Sequence, residues 1–314
     1  MKKVLAAFLF STIALTLGAQ ESQTQYNFLR LPVSTRAAAL GGDNISVVED
    51  DGNLIFNNPA LLSSVSDKTL TLGYMNYMSG VNAGSASFCK TVKERATWAV
   101  SCQYIDYGDM KETDENNTDL GSFSAHDISL AGYFSYLLTD RLSGGIAGKM
   151  IFSYLGDYNS IGCAVDLGLN YYDADRDWSI SLVARNLGGE LKAYNEDYGK
   201  LPIDLQVGVT KGFANFPFRL SVSLVDLNHW GYSFFDHAVV GAELLLGETL
   251  WIGGGYNCRR AHEMKIESSD GESSHGAGIT LGGGLTLERF KIGVSWGKYH
   301  VSSSSLMVNL GYQF

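Results

Sequence analysis

Residues 305–314, SLMVNLGYQF, alternate between apolar and polar or small side chains. In an extended strand the larger apolar members fall on one face: Leu306, Val308, Leu310, Tyr312 and Phe314. The opposite face carries Ser305, Asn309, Gly311 and Gln313. A period of two is the signature of a strand whose two faces meet different surroundings. This stretch therefore predicts a β-strand with one apolar and one polar face.

The same alternation recurs along the chain from residue 69 onward. Similar runs lie at 69–77, 82–92, 95–107, 126–138, 142–155, 160–172, 178–188, 203–213, 217–229, 236–246, 249–259, 276–286 and 289–299. With the last stretch they make about fourteen segments, an even number in the size range of bacterial outer-membrane barrels. After residue 19 no apolar run is long enough for a spanning helix. The fold class predicted is all-β, a transmembrane antiparallel β-barrel over 69–314.

Connection lengths separate a membrane barrel from a soluble all-β protein. Tight connections, such as Lys93-Glu94 and Leu287-Glu288, alternate with others that include three long polar stretches at 108–125, 189–202 and 260–275. Outer-membrane barrels alternate short periplasmic turns with longer external loops. We therefore expect a multi-pass barrel in the outer membrane of a Gram-negative bacterium, with both ends of the chain periplasmic and the long loops extracellular.

Four mid-strand charges give an independent check, because a charge that faces lipid is costly while one that faces the lumen need not be. Extending the apolar face of each strand places all four on the opposite, polar face. These candidate lumen charges are Lys149, Asp166, Arg185 and Glu243. Mutual neutralisation inside a narrow lumen is the interpretation we favour, and a role in transport is the alternative.

The first residues and the composition indicate the compartment. Residues 1–19 combine Lys2 and Lys3 with an apolar run and a small pair at Gly18-Ala19, the order typical of a secretory signal peptide. The sequence has a formal net charge of −10 and only 18% charged residues, with 36 glycines. An acidic chain repels phosphate backbones, so no nucleic-acid partner is expected. Glycine and aromatic residues suit tightly curved strands.

Residues 20–68 differ in character from the strands that follow. Ser34 is a suitable N-cap for a short helix over 36–40, which Gly41-Gly42 would end. Further on, the stretch NNPALL contains Asn57, Asn58, Pro59 and Ala60. Proline fixes its own φ and pushes the preceding residue out of the helical region. A turn at this point would let the preceding segment fold back before the first strand begins.

The stretches YNFLRLPVSTRAAALGG (26–42) and VVEDDGNLIFNNPALLSS (47–64) resemble the opening of FadL-like outer-membrane barrels. More narrowly they resemble the PorV/PorQ branch, and within it the PorQ-like proteins of the type IX secretion system. The resemblance runs along the whole mature chain but is specific only over about residues 26–64. It implies that 20–68 forms a hatch associated with the lumen, with Asn57, Asn58, Pro59 and Ala60 as its turn. The alternative is a merely structural start to the first strand.

The resemblance also implies a function. PorQ-like proteins are components of an attachment complex that processes cargo and joins it to lipopolysaccharide. By that resemblance the barrel would anchor a PorZ-like surface protein, with PorU and PorV as further partners, in contact with outer-membrane lipid. The resemblance identifies no contact residues, so the partner-binding surface is unknown from the sequence. The alternative is a FadL-like transporter of hydrophobic small molecules.

The sequence indicates neither an enzyme nor a metalloprotein. None of the six histidines lies in a G-x-S-x-G or H-E-x-x-H context, so no catalytic residue is assigned. The four cysteines are widely spaced and form no Cys/His ligand pattern, so no metal site or cofactor is expected. Cys89 and Cys102 are out of register for a disulfide across the hairpin that holds them.

Overall fold

The computed structural model describes residues 24–314 apart from 114, 116–117, 214–215, 230, 232, 248 and 269–270. The signal-peptide prediction over 1–19 lies outside the described residues. No helix among the described residues is long and apolar enough to cross a membrane.

Fourteen antiparallel strands close into a barrel in which the first strand pairs with the last. The barrel strands are β1 (Thr69–Asn76), β2 (Asn82–Lys93), β3 (Ala96–Thr113), β4 (Asp119–Leu137), β5 (Leu142–Leu155), β6 (Tyr158–Asp173), β7 (Trp178–Lys192), β8 (Asp204–Phe213), β9 (Phe216–Leu224), β10 (Ala238–Leu246), β11 (Leu250–Asn257), β14 (Ile279–Leu287), β15 (Phe290–Gly297) and β16 (Ser305–Gln313). The predicted fold class, an antiparallel barrel of about fourteen strands, is confirmed.

The barrel has two unlike ends. One end, here the short-turn end, carries the tight connections together with Lys68 and Phe314, which are hydrogen-bonded to each other. The other, here the long-loop end, carries the long connections. These include the short helix α2 (Cys258–Glu263) and a two-stranded hairpin of β12 (Ile266–Ser268) and β13 (Gly271–Ser273). Except for the two-residue turn between β5 and β6, the connections at the long-loop end are the longer ones.

The loop expected at 108–125 is mostly strand. β3 continues to Thr113 and β4 begins at Asp119, and the two pair with each other beyond a bulge between Asp106 and Asp109. This hairpin continues past the apolar face of the barrel, where the alternation of apolar and polar residues ends. The sequence predicts a loop here because the alternation of apolar and polar residues, which predicts the other strands, is absent from this stretch.

The outer wall is an apolar belt. Large apolar side chains that are substantially exposed come from every part of the barrel, for example Leu72, Val100, Leu130, Phe134, Ile146, Leu167, Leu182, Val222, Ile252, Leu281, Val294 and Leu310. The inner wall carries serine, threonine, asparagine and glutamine at the alternate positions of the same strands. A wall that is apolar outside and polar inside has the pattern of a membrane-spanning barrel.

The polar lumen is filled by the N-terminal segment, residues 24–66, here called the hatch. It contains the helix α1 (Thr35–Ala39) and three 3₁₀ turns: Asn27–Arg30, Leu54–Phe56 and Pro59–Ser64. The Oγ of Ser34 accepts from the backbone N–H of Ala37, and Gly41 and Gly42 adopt φ of +104° and +98° beyond the helix. The predicted cap and stop of this helix are confirmed. The hatch buries Leu54, Leu61 and Leu62 almost completely, so the core of the molecule lies inside the barrel.

Candidate functional site

The hatch is held by side chains of the inner wall that bond to its backbone. Asn309 accepts from the N–H of Thr35 at 2.6 Å and donates to the carbonyl of Val33 at 3.1 Å. Thr280 donates to the carbonyl of Ala39 at 2.7 Å and accepts from the N–H of Gly41 at 3.0 Å. Buried backbone groups must be paired, and a short helix leaves several unpaired at its ends. The polar inner wall therefore supplies hydrogen-bond partners for the backbone groups that the hatch leaves unpaired.

Glycines of the wall let the hatch turn approach closely. A Cβ at Gly145 would lie 2.3 Å from the carbonyl carbon of Pro59, and one at Gly168 would lie 2.1 Å from Oδ1 of Asn58. Gly145 and Gly168 are direct partners across β5 and β6. Together they form a flat patch without side chains on which the Asn58-Pro59 backbone rests.

The turn residues themselves are fully engaged. The amide of Asn57 donates to the carbonyl of Gly42, and that of Asn58 donates to the carbonyl of Ile45 at 3.0 Å. Oδ1 of Asn58 caps the following 3₁₀ turn by accepting from the N–H of Ala60 at 2.9 Å. Pro59 occupies the first position of that turn. The four predicted hatch-turn residues thus lie together, buried against the wall and bonded within the hatch.

A four-residue ion cluster joins the hatch to strands β9 and β10. Glu243 of β10 is 2% exposed, and Nε of Arg36 in α1 donates to its Oε2 at 2.8 Å. Nε of Arg219 in β9 lies 2.9 Å from Oε1 of Glu243. The two groups form an ion pair, but the N–H is not oriented to make a hydrogen bond. Glu49 of the hatch pairs with Arg36 at 3.2 Å and also with Arg219. We call this set the ion lock.

The ion lock favours ionised Glu49. Burial opposes ionisation of this carboxyl, but the guanidinium groups of Arg36 and Arg219 outweigh burial, so the pKa of Glu49 lies below its ordinary value. The guanidinium of Arg36 also lies over the ring of Trp251, 4.8 Å from its centroid. Two cations and two anions therefore close a balanced set in which each member contacts both oppositely charged ones.

The other candidate lumen charges form a second group on β5, β6 and β7. Lys149 and Asp166 are 7% and 0% exposed, and their Nζ and Oδ2 atoms lie 2.5 Å apart. Asn186 joins this pair, because its Oδ1 accepts from Lys149 at 3.0 Å and its backbone N–H donates to Asp166 at 2.8 Å. Arg185 donates to the carbonyl of Leu29 at 2.9 Å. All four candidate charges are thus inside the barrel, but in two separate groups.

Sequence reasoning missed the partners of Glu243. Arg36 belongs to the hatch and is 207 residues away from Glu243 along the chain. Glu49 belongs to the acidic run Glu49–Asp51, in which no local pattern distinguishes one carboxylate from another. Arg219 of β9 lies directly opposite Glu243 of β10. A charge-complementarity test between neighbouring strands would have found Arg219, whereas no local pattern points to the two hatch residues.

Two sizeable cavities remain among the described residues, of about 290 Å³ and 160 Å³. The larger lies at the long-loop end between the hatch and the wall. It is lined by Asn27, Arg30, Leu31, Pro32, Asp43, Tyr77, Arg185, Asn186, Asp204, Val225, Asn257, Arg259, Arg260, Glu263, Met264 and Tyr299. The smaller lies beside the ion lock and includes Glu49, Asp50, Asp51 and Lys291. Most of the residues that line each cavity are polar or charged.

Potential metal ligands are not clustered in the described part of the chain. There, no three residues of histidine, cysteine, aspartate or glutamate are grouped to hold a metal ion. The four cysteines are free thiols; Cys89 pairs with Ala99 and Cys102 with Ala86 across the hairpin. The chemistry of the lumen is that of hydrogen bonding and ion pairing.

No protein-family model and no curated protein match the sequence. Solved structures match the fold. A FadL homologue of Pseudomonas aeruginosa aligns with a TM-score of 0.57 at 10% identity, over 90% of this chain and 98% of that one. The toluene transporter TodX of Pseudomonas putida gives 0.55 at 14% identity, over 90% and 97%. The monoaromatic hydrocarbon channel CymD gives 0.57 at 13% identity, over 91% and 98%.

These likenesses define the class of fold. The chain is a closed fourteen-stranded antiparallel barrel with a FadL-like fold, and its N-terminal segment lies inside the lumen. At 10–14% identity the likeness concerns the fold alone and brings no substrate or partner with it.

Proposed function

We propose that the protein is an outer-membrane barrel that the hatch keeps closed and that serves as a membrane anchor for a surface partner. The observation that carries the proposal is the bonding of the hatch to the wall. Its helix is bonded to Thr280 and Asn309, its turn rests on paired glycines, and the ion lock fixes Arg36 and Glu49. A plug held at three separate places is suited to a permanent structural role.

The character of the lumen supports the same proposal. Hydrophobic ligands are usually bound in clefts with mainly apolar linings and a few polar groups. Here the two sizeable cavities are lined largely by charged and polar side chains. An apolar solute would have to displace ion pairs that are themselves buried, which is costly in free energy. An anchor, by contrast, needs only a stable barrel and a presented surface.

Within this proposal the long-loop end faces the exterior and presents the partner-binding surface. The extended hairpin of β3 and β4 is the strongest candidate, since it projects beyond the apolar belt. The connection at 189–202 is less free, because Lys200 bridges to Thr24 and its carbonyl accepts from the N–H of Gln25. This connection therefore binds the start of the hatch.

The finer identity is also part of the proposal. We take the barrel to be a PorQ-like component of a type IX attachment complex that holds a PorZ-like protein, with PorU and PorV as further partners and lipopolysaccharide as the final acceptor of cargo. The opening stretches at 26–42 and 47–64 are its support.

A second candidate is transport of small hydrophobic molecules, and the fold likeness favours it. Two of the similar structures are a toluene transporter and a monoaromatic hydrocarbon channel. For this chain, transport would require a route past the hatch or through the wall. The comparisons favour this candidate more than they favour the anchor, and the bonding of the hatch favours the anchor.

One experiment separates the two candidates. Cells lacking the protein are compared with cells that express the wild type or a trimmed barrel in which Asn-Gly replaces residues 110–123. That replacement joins Asp109 to its cross-strand partner Ser124. An anchor predicts that loss of the protein releases a specific surface protein while uptake of toluene and laurate is unchanged. Reduced uptake with no released protein would reject the anchor in favour of transport.

A further inference from the structure

We propose that the larger cavity binds a hydroxyl-bearing molecule with one phosphate group, of the size of a sugar phosphate. The cavity of about 290 Å³ lies at the long-loop end, within reach of solutes at that end. Its volume is at the lower limit of small-molecule sites. The proposal rests on the cavity itself and does not depend on whether the barrel anchors a partner.

Three arginines reach the cavity from three different elements. Arg30 ends the first 3₁₀ turn of the hatch, Arg185 lies in β7 and Arg260 in α2. Each has a buried guanidinium nitrogen that no protein group accepts from: Nε of Arg30, Nε of Arg185 and Nη1 of Arg260. Buried donors are normally paired, so three unpaired guanidinium nitrogens around one cavity point to an anionic ligand.

The guanidinium groups are positioned by the protein. A bulge where β7 meets β6 gives Asn186 a left-handed φ of +57° next to Arg185, and such bulges re-aim the adjacent side chain. The guanidinium of Arg260 lies over the ring of Tyr299, 4.0 Å from its centroid. Arg185 is 6% exposed and fixed by the carbonyl of Leu29. A preorganised cation loses little freedom when it binds an anion.

Carboxylates that line the same cavity are already bonded. Oδ2 of Asp43 accepts from the amide of Asn257 at 3.1 Å. The oxygens of Asp204 accept from Gln206 and from the N–H of Asp226, each at 2.6 Å. Arg259 is paired with Asp226 and Glu263, which leaves Arg30, Arg185 and Arg260 as the cations that face the cavity. Because the unpaired groups around the cavity are donors, it suits an anionic group rather than a cation.

The arrangement favours phosphate over carboxylate. A single guanidinium can satisfy a planar carboxylate through two parallel hydrogen bonds, whereas the tetrahedral oxygens of a phosphate accept from donors in several directions. Donors here come from the hatch, the wall and a helix. The carboxylates have spare lone pairs that would accept from hydroxyl groups. A sugar phosphate, free or as the head of a glycolipid, combines these features.

The test is calorimetric titration of the purified full-length barrel in detergent with glucose 1-phosphate, glucose and laurate. We expect saturable binding of glucose 1-phosphate and none of glucose or laurate. Arg260→Gln or Arg30→Gln should weaken binding about 10- to 100-fold, because each removes charge-assisted hydrogen bonds. Arg95→Gln, at the exposed short-turn end, makes the same change in net charge and should leave binding unchanged.

A further variant and a further ligand control for misfolding and identify the kind of molecule that carries the phosphate. Arg260→Lys keeps the charge and the fold but loses the planar fork, so an intermediate affinity is expected. Monophosphorylated lipid A in mixed micelles tests whether the ligand is a glycolipid. If lipid A binds more tightly than glucose 1-phosphate, the site is assigned to a lipid head group. If lipid A binds more weakly, the site is assigned to a free sugar phosphate. Failure of the well-folded wild type to bind either phosphate, preference for laurate, or equal loss in Arg95→Gln would overturn the proposal.

Discussion

Removal of the Glu243 carboxylate is the sharpest perturbation of the hatch. In Glu243→Gln the side chain keeps its size, but its amide N–H group meets a guanidinium donor and one positive charge is left unbalanced. Arg36 Nε loses a charge-assisted bond of 2.8 Å, and Arg219 Nε loses a contact of 2.9 Å. Breaking a buried ion pair by removing one partner costs about 3–5 kcal/mol. Since about 1.4 kcal/mol is a factor of ten, release of the hatch should become roughly 100- to 4000-fold more frequent.

Hydrogen exchange of the detergent-solubilised protein, followed by mass spectrometry, measures this release directly. The peptide that spans α1 contains backbone N–H groups of Ala38 and Leu40 that are bonded within the hatch. We expect these amides to exchange faster in Glu243→Gln, while peptides of the barrel strands keep their wild-type rates. Glu288→Gln, at an exposed turn, makes the same chemical change and should exchange like the wild type.

A second variant distinguishes the lock from a general loss of stability. Arg36→Met combined with Glu243→Leu removes one cation and one anion and leaves Arg219 paired with Glu49. Replacement of a buried pair by apolar residues of similar size is often neutral or stabilising. We therefore expect the double variant to restore much of the protection. If the exchange rates in Glu243→Gln are unchanged, or if they rise equally in hatch and barrel peptides, the ion lock does not hold the hatch in place.

Three further predictions concern the hatch and lumen. Glu49 has a pKa below its ordinary value of 4.5, so the stabilisation that it contributes is complete above that pH and is lost as the pH falls through the lower, folded-state pKa. The fluorescence of Trp251, which lies beside Arg36, should therefore stay constant from neutral pH to about 5 and change only below 4.5. A Trp251→Phe variant is the control. Gly145→Ala should displace the hatch turn and accelerate exchange of its peptide, whereas Gly148→Ala on the same strand has free space for a Cβ and should not. Lys149→Met leaves a buried carboxylate unpaired and should lower the free energy of unfolding by about 3–5 kcal/mol, measured by urea denaturation in detergent.

Much of the fold could be predicted from the sequence because each strand separates two environments. Alternation along β16, and along the thirteen other barrel strands, places apolar side chains on the outer wall and polar ones toward the lumen. The cap at Ser34 and the stop at Gly41 are equally local, since they depend on residues within one turn of helix. Such features need no knowledge of distant contacts.

The contacts of the hatch could not be predicted in this way. Arg36 and Glu243 are far apart along the chain, and only closure of the barrel brings α1 to β10. Gly145 and Gly168 look like ordinary strand glycines until the turn at Asn58 is seen to rest on them. The pairing of β3 with β4 beyond Asp109 was missed because hydrogen bonding of polar strands leaves no alternating apolar signal.

The measurement that tests the central claim most directly is native mass spectrometry of the barrel isolated from its own outer membrane with mild detergent. The account predicts a stoichiometric complex with one or more surface proteins, no bound apolar small molecule, and loss of the partner when residues 110–123 are trimmed. A barrel that carries a fatty acid or aromatic compound and no partner protein would contradict it.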